Sequence, residues 1–151
     1  MSLSAGTRSE IERLVARFPE RRSALLPALK LAQRDAGWLP PEAIAEAADL
    51  VGVPHSAALE IAEFYTMLHT EPVPRTLVVV CAQLPCALRG AEALIRELRD
   101  ALKDDSIEIE RTSECFGACH RAPMARVGDR YYENLDAEGR DALVGELLGG
   151  G

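Results

Sequence analysis

Four cysteines hold the chemistry open to this sequence, spaced as Cys81-x4-Cys86 and Cys115-x3-Cys119 with 28 residues between the pairs. Thiolates are soft ligands, and paired cysteines in a reducing compartment read as metal ligands or redox groups before structural disulfides. Two thiolates from each of two loops is the supply a 2Fe–2S cluster needs, because each iron takes two sulfides and two thiolates. A gap of four also opens plant-type ferredoxin sites, whose second pair is spaced differently. Zinc accepts gaps of two to four residues, so spacing alone leaves a four-cysteine, zinc-stabilised interaction module without redox chemistry equally open. Disulfides or unrelated core cysteines rank third, and a free-thiol oxidoreductase last, since no C-x-x-C occurs.

The elements that must position these residues change character along the chain. The first seventy residues read as four short amphipathic helices. Ser9 and Glu12 form a capping-box pattern ahead of Ile11, Leu14, Val15 and Phe18. A second helix is expected from Ser23 to Ala36, with Gly37 as its stop. Pro41 opens a third through Leu50, closed by Gly52, and Ser56 caps a fourth to about Leu68 with Ala58, Ile61, Ala62 and Tyr65 inward. Pro72-Val73-Pro74 breaks that pattern. Residues 1–70 are therefore expected to form a small helical bundle and 75–151 a second domain.

In the second half, Leu77-Val78-Val79-Val80 reads as a buried strand and Gly90–Leu102 as a helix. Ile107 and Ile109 alternate with charges, and Gly128-Asp129 reads as a hairpin turn between Met124–Val127 and Arg130–Glu133. Asp136 caps a last helix through Leu148. Strand, helix, strand, hairpin, helix predicts an α+β (α/β) domain of thioredoxin-like design with a four-stranded mixed sheet. If the first two strands are parallel neighbours, the loops bearing Cys81/Cys86 and Cys115/Cys119 leave the same sheet edge and bring four sulfurs together. Gly117 and Ala118 leave room for backbone N–H groups to approach the sulfurs, and Pro85 stiffens the first loop.

The bulk numbers fit. The chain has 151 residues, 48% hydrophobic and 27% charged, with a formal charge of −7 that argues against a nucleic-acid partner. The N-terminal residues lack the apolar stretch of a signal peptide, and the longest apolar run is too short to span a bilayer. A cytoplasmic location is expected.

These residues resemble the E-subunit family of NADH dehydrogenase, the thioredoxin-like 2Fe–2S ferredoxin component of respiratory complex I. Relatives of that component serve NAD-reducing hydrogenases and NAD-dependent formate dehydrogenases. The resemblance rests on Pro27-Ala28-Leu29 with Gln33, Gly37-Trp38-Leu39-Pro40, Phe64-Tyr65-Thr66-Met67, and Cys81 through Gly90. It continues in Glu114-Cys115-Phe116-Gly117-Ala118-Cys119, Ala122-Pro123 and Tyr131-Tyr132-Glu133. It implies one 2Fe–2S cluster on Cys81, Cys86, Cys115 and Cys119. It also implies a non-catalytic electron-transfer role beside a partner subunit that carries FMN and binds NADH. No G-x-G-x-x-G occurs here to bind the nucleotide. The place implied is cytoplasmic, peripheral on the cytoplasmic side of a membrane complex. Departures from the family pattern include Phe116 in place of the usual leucine, a short stretch between Leu102 and Cys115, and His120, Arg121 and Met124-Ala125-Arg126.

The remaining candidates read blandly. His120 follows a cysteine but is expected to be an exposed loop residue rather than a ligand, and His55 and His69 surface groups. Trp38, Phe64 and Tyr65 are expected to pack between helices. Ala122-Pro123 resembles the loop where thioredoxin-like folds hold a cis proline, although an ordinary trans bond is the general expectation.

Overall fold

The computed structural model describes residues 2–149, and the chain divides into two compact units, one ending at Val73 and one beginning at Pro74. The first unit is helical: α1 (Ala5–Val15), α2 (Leu25–Ala36), α3 (Pro41–Val51) and α4 (His55–Phe64), with a 3-10 turn over Arg21–Ala24 before α2. Helix α1 starts ahead of the expected Ser9 because Ser4, in extended conformation, caps it by accepting the Thr7 N–H at 3.2 Å. Ser9 lies inside the helix, where its hydroxyl takes an Arg13 N–H at 3.1 Å. Ser23 belongs to the 3-10 turn and makes no cap. Pro27 falls in the first turn of α2, where a missing N–H costs no helical bond. Gly37 and Gly52, at φ +83° and +79°, end α2 and α3 in the left-handed conformation that glycine tolerates.

Helix α4 stops four residues short of the expected Leu68, as Tyr65 turns extended at φ −89°, ψ 114°. Phe64 is 77% exposed, contrary to the inward packing expected of it, while Trp38 and Tyr65 are half-buried. The segment after α4 folds back on the bundle. Leu39 N–H donates to His69 O at 2.7 Å, and Gln33 donates Nε2–H to Met67 O at 3.0 Å while its Oε1 accepts the His69 N–H at 2.7 Å. His69 is accordingly half-buried rather than a free surface group. Ile11, Leu29, Leu39 and Val51 are fully buried among alanines of α2, α3 and α4. Such small side chains let helices approach closely.

The second unit is α+β, with a four-stranded mixed sheet in the order β2-β1-β3-β4. Strands β1 (Thr76–Cys81), β2 (Ile107–Thr112), β3 (Ala125–Val127) and β4 (Arg130–Tyr132) combine with helices α5 (Leu84–Leu88), α6 (Ala91–Ala101) and α7 (Ala137–Gly149). Strand β1 runs parallel to β2 and antiparallel to β3, and β3–β4 is the antiparallel hairpin expected around Gly128-Asp129. The central position explains the unbroken run Val78 to Cys81, all buried. Edge strand β2 alternates, with Ile109 buried and Glu108 exposed. Helix α6 lays Ala91, Leu94, Ile95 and Leu98 into the core. Asp136 holds the start of α7, its carboxylate accepting the Gly139 N–H at 3.0 Å. The expected single helix over Gly90–Leu102 is preceded by α5, five residues long, and Gly90 at φ +93° turns the chain between them.

Candidate metal centre

Cys81 is the last residue of β1, opposite Thr112 at the end of β2. Its N–H donates to Met124 O at 3.0 Å, which ties it to the chain entering β3. Cys86 sits inside α5 rather than in the loop expected for it. Pro85 in that helix's first turn leaves no N–H wanting, and five residues are too few to show a helical period. Both are buried free thiols. Burial pushes the Cys86 thiol up to about 11, with the bond to Cys81 adding to it, while an N–H from Met124 acts the other way.

The second pair comes from the stretch after β2. Cys115 and Cys119 are exposed, with their Sγ atoms 3.4 Å apart as free thiols. Gly117, at φ +81°, directs its N–H to Cys115 Sγ at 3.3 Å. That bond first, and the one from Cys119 second, hold the Cys115 thiol below its ordinary value. The hydrogen bond with Cys115 raises Cys119, as do burial and the charges of Cys115 and Cys81. Cys119 opens a 3-10 turn, Cys119–Arg121, which packs against α5. The charge of Cys119 also raises Cys86.

The surroundings fix this loop. Phe116 packs edge-on to Tyr131 with ring centroids 5.3 Å apart. Arg121 holds Glu133 at 2.5 Å and accepts the Asn134 N–H at its carbonyl, 2.8 Å away. His120 is exposed, and Arg121 Nε donates to its ring at 3.3 Å. The Ala122–Pro123 peptide bond is cis, and Pro123 is buried just ahead of β3.

Among the described residues no three His, Cys, Asp or Glu side chains gather as a single-ion site; the four thiols stand two and two. That division suits a pair of irons. Two thiolates on one tetrahedral metal, with bonds near 2.3 Å, lie roughly 3.8 Å apart, close to what Cys115 and Cys119 show. The Gly117 N–H already points at the Cys115 sulfur, as the negative charge of a four-thiolate cluster requires. The donor set therefore fits a 2Fe–2S cluster.

The profile of the thioredoxin-like 2Fe–2S ferredoxins matches residues 11–148. The chain belongs to this family. A 2Fe–2S cluster is thus its cofactor, which decides against the zinc module that spacing had left open. The ferredoxin is 43% identical over 144 residues to the E 2 subunit of NADH-quinone oxidoreductase from Rhizobium meliloti (strain 1021), covering 91% of this chain and 86% of the relative. It is 37% identical over 146 residues to the E subunit of NADH-quinone oxidoreductase from Rickettsia bellii (strain RML369-C), covering 90% and 87%. Among solved structures it is similar to an NAD+-reducing nickel–iron hydrogenase in the H2-reduced state, with a TM-score of 0.69 and 26% identity. That alignment covers 83% of this ferredoxin but only 22% of the hydrogenase chain.

Two contacts around the cysteines were missing from the sequence reading. Met124, whose carbonyl accepts the Cys81 N–H just ahead of β3, lies far along the chain and leaves no mark in its own residue type. Gln83, whose side-chain amide donates to Ser113 O, bridges the two cysteine-bearing segments. A polar residue between two cysteines gives no signal until the fold shows what it faces.

Proposed function

We propose that this ferredoxin is the electron-transfer subunit of an NADH-quinone oxidoreductase, holding one 2Fe–2S cluster on Cys81, Cys86, Cys115 and Cys119. What supports this reading is two thiol pairs placed at and beyond the carboxyl ends of parallel β1 and β2, with the turn opened by Cys119 packed on the helix that holds Cys86 and the Gly117 N–H directed at Cys115 Sγ. When bound, the cluster supplies one-electron chemistry. The chain's own residues would hold it, through buried Cys81 and Cys86 and exposed Cys115 and Cys119. A partner subunit bearing FMN and oxidising NADH is the source of electrons that suits a carrier without a nucleotide motif. The names of the two oxidoreductase relatives support a multisubunit assembly of this kind. No described helix is long and apolar enough to cross a membrane; the place proposed for the ferredoxin is peripheral, on the cytoplasmic side of a membrane complex.

The test is anaerobic reconstitution of the full chain with iron and sulfide. Two irons and two sulfides per chain, visible absorption that bleaches with dithionite, and a reduced-state paramagnetic signal are expected. Changing Cys86 to serine should alter that spectrum. A colourless chain, or a Cys86→Ser chain with unchanged spectrum and iron content, would refute the assignment.

A further inference from the structure

The β1–β2 ladder ends with Cys81 opposite Thr112 and one more backbone bond, Ala82 N–H to Thr112 O at 2.8 Å. Beyond it the two chains part. One turns into α5 with Cys86, and the other heads for Cys115. Across that opening the Gln83 side-chain amide donates to Ser113 O. Thr112 Oγ1 accepts the Glu114 N–H at 3.1 Å and turns the same chain from its other side.

We propose that Gln83 is a positioning residue for the cluster, its amide serving as a side-chain rung that sets where the Cys115 segment begins relative to the helix carrying Cys86. Gln83 stands three residues before Cys86, and Ser113 two before Cys115. The bond thus joins the lead-in of one ligand pair to that of the other. Gln83 and Ser113 are both exposed, so the rung adds little to the stability of the whole fold. Its leverage is local, because Cys115 and Cys119 are exposed and lack the enclosure that fixes Cys81 and Cys86. Loss of the rung loosens the lead-in to Cys115, upstream of the Phe116 and Arg121 contacts that hold the rest of the loop, and a cluster shared by both pairs needs its ligands held in one geometry. The inference rests on the cluster assignment made above.

Three full-length chains test it after cluster reconstitution: wild type, Gln83→Leu, which keeps bulk but no donor, and Gln83→Lys, which restores one. In excess chelator, Gln83→Leu should bleach about fivefold faster than wild type, the effect of losing one ordinary hydrogen bond. Its reduced-state paramagnetic signal should broaden. Gln83→Lys should bleach at a rate close to wild type, and all three should melt together when cluster-free. Equal bleaching of Gln83→Leu and wild type, or Gln83→Lys behaving like Gln83→Leu, would overturn the proposal. Amide exchange over residues 114–118 in the cluster-free chains separates two kinds of failure. Unchanged exchange in Gln83→Leu removes the rung itself. Faster exchange in Gln83→Leu, beside a wild type that takes up no iron and sulfide, refutes the cluster assignment and with it the role given to Gln83.

Discussion

The Gly117 N–H meets the Sγ of Cys115 at 3.3 Å because Gly117 is held at φ +81°. A residue with a Cβ reaches that conformation only with strain of about 1–2 kcal/mol. A Cβ built there meets no atom within 4 Å, so strain is the whole cost. Gly117→Ala should therefore lower the stability of the cluster-free chain by about 1 kcal/mol. Urea unfolding measures this, and an effect well above about 2 kcal/mol would point to a clash instead.

The thiols of the cluster-free chain should react in a set order. Cys115 is exposed and held below its ordinary value by the Gly117 N–H, so its thiolate forms at lower pH than an ordinary cysteine's. Cys86 is buried and raised to about 11. Iodoacetamide near neutral pH should label Cys115 first and Cys86 last, and Cys86 labelling should keep rising with pH after Cys115 has levelled off. Peptide mapping at several pH values checks it. Simultaneous labelling of the two would contradict the geometry.

Asp35, the neighbour of α2's last residue, grips the cap of α1. Its carboxylate accepts the Ser4 N–H at 2.7 Å and the Ser4 hydroxyl at 2.9 Å. The backbone bond first, then the hydroxyl, hold it below its ordinary 3.8. A depressed carboxyl adds stability above its unfolded pKa and loses it as pH falls through the folded one. Asp35→Asn should thus melt earlier than wild type at neutral pH, and the gap should close as pH drops below 3.8. Thermal melts across that range decide it; a gap that widens in acid would reverse the sign.

Gln33 spends both ends of its amide on the segment after α4, at Met67 O and His69 N–H. Replacing it with leucine removes two bonds and strands two half-buried backbone groups. The loss should be about 1–3 kcal/mol in urea unfolding. Hydrogen exchange should rise first over residues 66–69. A neutral substitution would mean water replaces the amide without cost.

Much of the second unit was legible because its signals are local. Val78 to Val80 announced a buried strand, Gly128-Asp129 a hairpin, and Asp136 a helix start; each lies where its residue types imply. The condition set for bringing the cysteine segments together, that β1 and β2 be parallel neighbours, is met. What could not be read depended on contacts distant in sequence or on elements too short to have a period. Ser9 and Glu12 imitate a cap, yet Ser4 takes the role because Asp35, 31 residues away, holds it there. Helix α5 has one turn and a half, which periodicity does not register. Phe64 reads as core by type, but α4 needs only Ala58 and Ala62 to seat itself, and the ring faces outward.

The bonds that close the helical unit, Leu39 to His69 and Gln33 to Met67 and His69, all lie upstream of Val73. During synthesis that portion can settle while the sheet is still inside the ribosome. The sulfurs differ. Strand β1 waits for β2, and the last thiol arrives only with residue 119. The residues proposed to hold the cluster are thus complete only once residue 119 has been made, after the bonds of the helical unit can already have closed.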